Sequence, residues 1–241
     1  MSKLSLCTLQ FSTSPNYEDN LHTLNKLIKQ TPENSIVLAP EVCLTGFDYD
    51  NFEEAASFSQ KAIEELLQLS QMRVLVLSVI EKQDNNKFYN IAKVLHKGKI
   101  VHEQCKNKLF KLGDEDKYFT QGPIEHLSLF EIDGVKLGLL ICFELRFKNY
   151  WQDLEGADII LIPSRWGKLR SENFEVLTQA LAVMNQCYVL ASDASNEDCT
   201  AMSGIISPFG QTERNRNESC LIKPYDKQEI RRMRRYLNVG I

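Results

Sequence analysis

Val135 to Ile141 is a nearly unbroken apolar run that stops at Cys142 and gives way at once to Phe143, Glu144, Leu145 and Arg146. A run of about seven residues with apolar side chains at both odd and even positions suits a strand covered on both faces better than a helix, and Gly138 inside it points the same way. A strand that ends so abruptly presents its last side chain at the rim of a sheet, where open α/β folds bind ligands. Free cysteine is also among the most buried residue types, so Cys142 alone fits plain core packing as readily as chemistry.

Two further strand ends change that balance. Ser35 to Pro40 reads as a short buried strand that delivers Glu41 ahead of the turn signal Thr45-Gly46-Phe47. Lys99 to Gln104 alternates like a half-buried strand and leads through Cys105 to Lys106. Singly, Glu41 could cap a helix, and Lys106 could be one solvated lysine among several in 106–111. Together the three segments end in a carboxylate, an ammonium and a thiol, which is harder to assign to packing.

The blocks 40–47 (Pro-Glu-Val-Cys-Leu-Thr-Gly-Phe), 106–110 (Lys-Asn-Lys-Leu-Phe), 115–122 (Glu-Asp-Lys-Tyr-Phe-Thr-Gln-Gly) and 141–147 (Ile-Cys-Phe-Glu-Leu-Arg-Phe) resemble, in order and spacing, the signature blocks of the nitrilase superfamily of carbon-nitrogen hydrolases. The resemblance runs from the first strand to about residue 224. It implies a Glu-Lys-Cys triad of Glu41, Lys106 and Cys142, with Glu115 as the second, substrate-orienting glutamate. It also implies a four-layer α-β-β-α sandwich that pairs across a helical face into a homodimer or larger assembly. Lys108 stands where the family usually has histidine, which leaves open a register with Lys108 catalytic. Met184 stands where many members have glutamate, and the carboxyl end is short for the family.

Composition fits an α/β enzyme and excludes other classes. The 241 residues suffice for one large domain, 1–241, with a substantial core. Hydrophobic residues at 43% and charged residues at 25% argue against disorder and fibres. A formal charge of −4 shows no bias toward nucleic acid. No segment approaches the length needed to span a bilayer, and the amino terminus lacks the long apolar stretch of a signal peptide, so a cytoplasmic location is expected. Seven cysteines without CxxC pairs and four scattered histidines suggest reduced thiols rather than disulfides or a metal site, and no cofactor is expected.

Along the chain, strands and helices alternate. Ser14-Pro15 is a helix start with Leu21, Leu24 and Ile28 on one face. A second helix is expected over about 53–70, with Ala56, Ile63, Leu66 and Leu67 inward. Strands follow near 73–80, 88–95 and 99–104, with a hairpin turn at Asp84 to Lys87. The second half holds strands near 127–132 and 135–141, a short helix near 148–155, a strand Ile159 to Ile162 and a helix over about 171–186. Phe174, Leu177, Leu181 and Met184 give that last helix a core-facing stripe. Strands near 187–192, 203–207 and 219–222 and a helix from Asp226 to Tyr236 complete the pattern. The arginines at 231, 232, 234 and 235 read as a solvated face.

The resemblance also implies a mechanism in which each residue type has a separate task. A thiol with an ordinary pKa near 8.5 needs a nearby base or cation. Glu41 would take the proton of Cys142 as it attacks an amide carbon, while Lys106 and a backbone N–H, that of Phe143, would meet the developing oxyanion. A Cys-His pair would need a suitably placed histidine, and His102 alone is near these blocks. Arg146 either holds a substrate carboxylate or braces a neighbouring carboxylate such as Glu144. Pro163 to Trp166, with Arg170 and Asn173, partly matches a stretch of omega-amidase-like members, which act on small dicarboxylic acid monoamides, and brings Trp166 into the substrate-binding set. The expected partner is therefore a small-molecule amide, with a carbamoyl amine or a retired scaffold as alternatives.

Overall fold

The short apolar runs form the centres of two six-stranded sheets. The computed structural model describes residues 3–123, 126–214 and 217–241. The first sheet contains β1 (Ser5–Leu9), β2 (Ser35–Leu38), β3 (Arg73–Lys82), β4 (Phe88–His96), β5 (Lys99–Cys105) and β12 (Cys220–Pro224), in the order β12-β1-β2-β3-β4-β5. The second contains β6 (Phe130–Ile132), β7 (Val135–Leu139), β8 (Ile159–Ser164), β9 (Tyr188–Asp193), β10 (Gly204–Ile206) and β11 (Thr212–Arg214), in the order β11-β10-β9-β8-β7-β6. Each sheet has three parallel strands at its centre, β1-β2-β3 and β7-β8-β9, with antiparallel strands outside them. The parallel strands are buried throughout or nearly so, which is why their sequences read as continuous apolar runs.

Two layers of packing follow from the strand alternation. Leu6, Ile36, Leu38, Val74 and Val76 of the first sheet join Leu137, Leu139 and residues 159–162 of the second in one core. Cys7, Leu9, Val37, Leu75 and Leu77 point to the other face, against α1 (Tyr17–Gln30) and α2 (Phe52–Leu69). On the second sheet α5 (Ser171–Met184) buries Phe174, Leu181 and Ala182, and α6 (Lys227–Tyr236) buries Ile230 and Met233. The order helix, sheet, sheet, helix is the four-layer α-β-β-α sandwich expected. No helix among the described residues is long and apolar enough to cross a membrane.

Several boundaries differ from the sequence reading, each for a local reason. The first helix starts at Tyr17, because the Asn16 side chain accepts the N–H groups of Glu18 and Asp19. Strand β7 ends at Leu139, two residues before Ile141. Gly138 inside it lets Leu154 close in, since a Cβ there would meet the Leu154 side chain at 2.9 Å. Ala56 and Leu67 are only partly buried, while Ala55, Ser59 and Ala62 take the inner face of α2. Met184 points outward and is 64% exposed; Thr178 occupies the buried stripe of α5, with its hydroxyl bonded to the Phe174 carbonyl. The short strand β11 has no apolar alternation and was not expected. Of the carboxyl-terminal arginines, Arg234 donates to the Ala157 carbonyl, so that face is not wholly solvated.

Candidate active site

Three strand ends carry the residues expected from the sequence to form a site. Glu41 lies three residues past β2, Lys106 directly follows β5, and Cys142 opens a 3-10 turn, Cys142–Arg146, after β7. Glu41, Lys106 and Glu115, the first residue of α3 (Glu115–Tyr118), are all buried. Lys106 Nζ donates to Glu41 Oε1 at 2.7 Å and to Glu115 Oε1 at 2.8 Å. Burial alone would push this ammonium's pKa down, but the carboxylates of Glu41 and Glu115 outweigh it and favour the charged lysine. Glu41 Oε1 also accepts from Asn90 Nδ2 at 2.8 Å, and its Oε2 from the Arg165 backbone N–H at 3.2 Å. Glu115 Oε2 accepts the Phe110 N–H at 2.9 Å; burial raises its pKa, and Lys106 opposes that.

Cys142 is buried and sits at φ +48°, a conformation that side chains rarely adopt. Val42, beside Glu41, shares it at φ +42°, with its N–H bonded to Ser78 Oγ at 3.0 Å. Strain held at two neighbouring strand ends is a common mark of functional sites. Desolvation, and then Glu41, push the Cys142 thiol well above its ordinary pKa, while Lys106 and the Arg165 N–H act against them. Desolvation thus favours the neutral thiol over the thiolate.

Of the other expected site residues, Phe143, Arg146 and Trp166 line a small cavity together with Phe110, Cys142, Arg165, Gly167 and Arg170. Arg146 stacks over Trp166 at 5.1 Å and donates to Asn173 Oδ1 at 2.9 Å. It does not brace Glu144, whose carboxylate instead accepts the N–H groups of Ile141, Asn107 and Lys108. Arg170 stacks over Phe110 at 5.0 Å. Lys108 is turned away from Glu41, with Nζ over the rings of Phe147 and Tyr150 at 5.5 Å each. His102 stacks on Phe130, and burial lowers its pKa. Sequence reasoning missed Asn90 and the Arg165 N–H: the first is a polar residue inside a strand, and the second is a backbone group that no residue type announces.

A family model for carbon-nitrogen hydrolases matches residues 3–219. The chain belongs to that family. Among its relatives, the 2-oxoglutaramate amidase of Bacillus subtilis (strain 168) is 30% identical over 223 residues, spanning 88% of this chain and 85% of its own length. The deaminated glutathione amidase of Escherichia coli O157:H7 is 26% identical over 95% of this chain and 93% of its own. Of solved structures, a CN-hydrolase superfamily protein from Xanthomonas campestris superposes with a TM-score of 0.86 at 18% identity, covering 98% of this chain and 96% of its own. A branch 10 member of the nitrilase superfamily from Saccharomyces cerevisiae gives 0.86 at 20% identity, covering 99% and 96%. At such identities the structures speak for the carbon-nitrogen hydrolase fold alone. Among the described residues no group of three or more His, Cys, Asp or Glu is arranged to hold a metal ion.

Proposed function

We propose that this carbon-nitrogen hydrolase cleaves the carboxamide of a small linear monoamide through Cys142, releasing ammonia and a carboxylic acid. The observation that carries the reading is the buried Lys106 ammonium held between Glu41 and Glu115 at the strand ends that also bring in Cys142. Since desolvation favours the neutral thiol, its proton must leave as the carbon-sulfur bond forms, and Glu41 is the base for that step. An ammonium has three N–H groups, and two are engaged by the carboxylates. The third is available to the substrate oxygen, with the Phe143 N–H as second donor, so negative charge develops against a preorganised cation. Glu41 returns the proton to the leaving nitrogen, and ammonia departs from a thioester on Cys142. Glu41 then takes a proton from water as it attacks, and the acid is released with the thiol restored. Glu115 orients Lys106 through the 2.8 Å bond.

Substrate choice rests on the cavity wall. Arg146 and Arg170 line the cavity beside Cys142, while the Arg165 guanidinium turns to Asn196 and Asp198; the two cations favour an anion at the far end of the substrate and disfavour a cationic carbamoyl amine. Trp166 and Phe143 supply its apolar faces. The names 2-oxoglutaramate amidase and omega-amidase among the relatives agree with an amide that carries a distal carboxylate. An anionic carbamoyl amine satisfies the same arginines and is the second reading. In this reading 1–241 is one domain and the assembly is a homodimer or larger, paired across a helical face. All seven cysteines are free, as suits a reducing, cytoplasmic setting.

Ammonia release is to be measured on succinamic acid, a linear amide without a carboxylate, and N-carbamoyl amines of either charge. Succinamic acid is expected to be turned over fastest, and Cys142→Ala to be inactive yet folded by circular dichroism. Full activity of Cys142→Ala would remove the assignment.

A further inference from the structure

Asp193 is a second buried carboxylate that the reaction steps above do not use. It ends β9 beside Ser164, the last residue of the parallel neighbour β8. It has no exposed surface, and its donors are neutral: the Trp166 N–H to Oδ1 at 2.7 Å and the Thr200 hydroxyl to Oδ2 at 2.6 Å, with the N–H groups of Ala194 and Ala201 also facing it. Two short hydrogen bonds from neutral donors and no ion pair in a desolvated place mark a carboxylate kept for these contacts.

What it holds matters for the site. Past Ser164 the chain leaves β8 but stays braced: Gly167 bridges Cys199, and the Thr200 N–H donates to the Trp166 carbonyl at 2.9 Å. Consecutive N–H groups of an extended chain point to opposite sides. Here the two are taken by two carboxylates, Trp166 by Asp193 and Arg165 by Glu41 at 3.2 Å. Fixing one peptide on its far side sets the angle at which the next meets the reacting groups.

Resting on the reading of Cys142, Glu41 and Lys106 as the reacting set, we propose that Asp193 is a positioning residue whose grip on the Trp166 N–H aims the Arg165 N–H at Glu41, the base that serves Cys142. Asp193→Asn keeps the shape but places an amide group among donors. Two rates test it: ammonia release from succinamic acid, and alkylation of Cys142 by iodoacetamide mapped by mass spectrometry, with half-buried Cys105 as internal reference. For Asp193→Asn, kcat is expected to fall at least tenfold with KM within threefold, and Cys142 alkylation to slow at least threefold while Cys105 is unchanged. A wild-type kcat, or a raised KM at unchanged kcat, overturns the proposal, the latter because it would make Asp193 only a support for the Trp166 wall. Should Asp193→Asn fail to fold, Thr200→Val removes one donor alone and is expected to lower kcat two- to fivefold at constant KM; no change overturns. An active Cys142→Ala control would instead indict the site itself, and Cys142 alkylation tests Asp193 whether or not succinamic acid is the substrate.

Discussion

Lys106 keeps its charge without water, because two carboxylates at 2.7 and 2.8 Å replace hydration. Removing that cation leaves two buried carboxylates facing each other and, in the proposed mechanism, takes away the donor to the substrate oxygen. Loss of such a donor costs on the order of 10²-fold or more in rate. Lys106→Ala is therefore expected to lose at least that much kcat, and Lys108→Ala, whose ammonium lies over Phe147 and Tyr150, far less. The reverse order would move the catalytic register by two residues. Glu41 and Glu115 both bond the same ammonium but should part in mutagenesis. Glu41→Gln cannot exchange a proton in either half of the reaction and is expected to abolish steady-state hydrolysis. Glu115→Gln keeps an acceptor for Lys106, so measurable turnover with impaired kcat and KM is expected. Equal, complete loss in both would show that Glu115 also transfers protons.

The elements that carry these residues are joined by a third carboxylate. Glu144, fully buried in the turn after β7, accepts Ile141 N–H at 2.8 Å and Asn107 N–H at 2.7 Å, tying the turn of Cys142 to the chain just past Lys106. Desolvation lifts its pKa to about 7 from an ordinary 4.5, against the pull of those N–H groups and Lys106. Between these values the folded state binds more protons than the unfolded one. The group's contribution to stability is full below about 4.5 and is lost as pH rises through 7. Replacing it by Gln removes the titration, so the wild-type advantage over Glu144→Gln in urea melts should shrink from pH 5 to pH 8, by at most about 1.4 kcal/mol per pH unit. A constant gap would show that Glu144 does not titrate in this range. The ends of β2 and β7 were legible because two-face burial writes itself as apolar runs that stop at a polar or reactive residue, whereas β5, mostly exposed, was legible only as a short β-prone segment leading to Lys106. The staples were not: Glu144 reads as one more surface acid, and its partners are backbone groups brought close only by the meeting of two sheets. Likewise the start of α1 turned on which of several small polar residues capped it, and Asn16 won over Ser14 through two N–H bonds.

Both faces of each sheet find partners within the chain, the inner ones against each other and the outer ones against helices, yet α5 has apolar side chains on both of its sides. Phe174 and Leu181 face the second sheet, while Val176 at 62%, Val183 at 38% and Met184 at 64% exposure form an outward stripe. Spacing made Met184 look core-facing; the stripe it belongs to points to solvent. An apolar stripe on an otherwise amphipathic helix is what an isologous contact between two copies requires, since each copy presents the same patch to the other. The amino-terminal turn of α5 also holds Asn173, which accepts from Arg146, the arginine stacked over Trp166 at the cavity wall. Docking of α5 would therefore steady the wall that selects the substrate, without touching Cys142. For the double variant Val176→Glu with Met184→Glu, light scattering behind size exclusion is expected to fall from twice the 27.7 kDa chain mass to the single chain. Turnover of succinamic acid by that monomer should show a raised KM and a kcat within a few-fold of wild type, because the Glu41, Lys106 and Cys142 cluster lies within one chain. A wild-type protein already at 27.7 kDa would leave the stripe without a partner of its own kind.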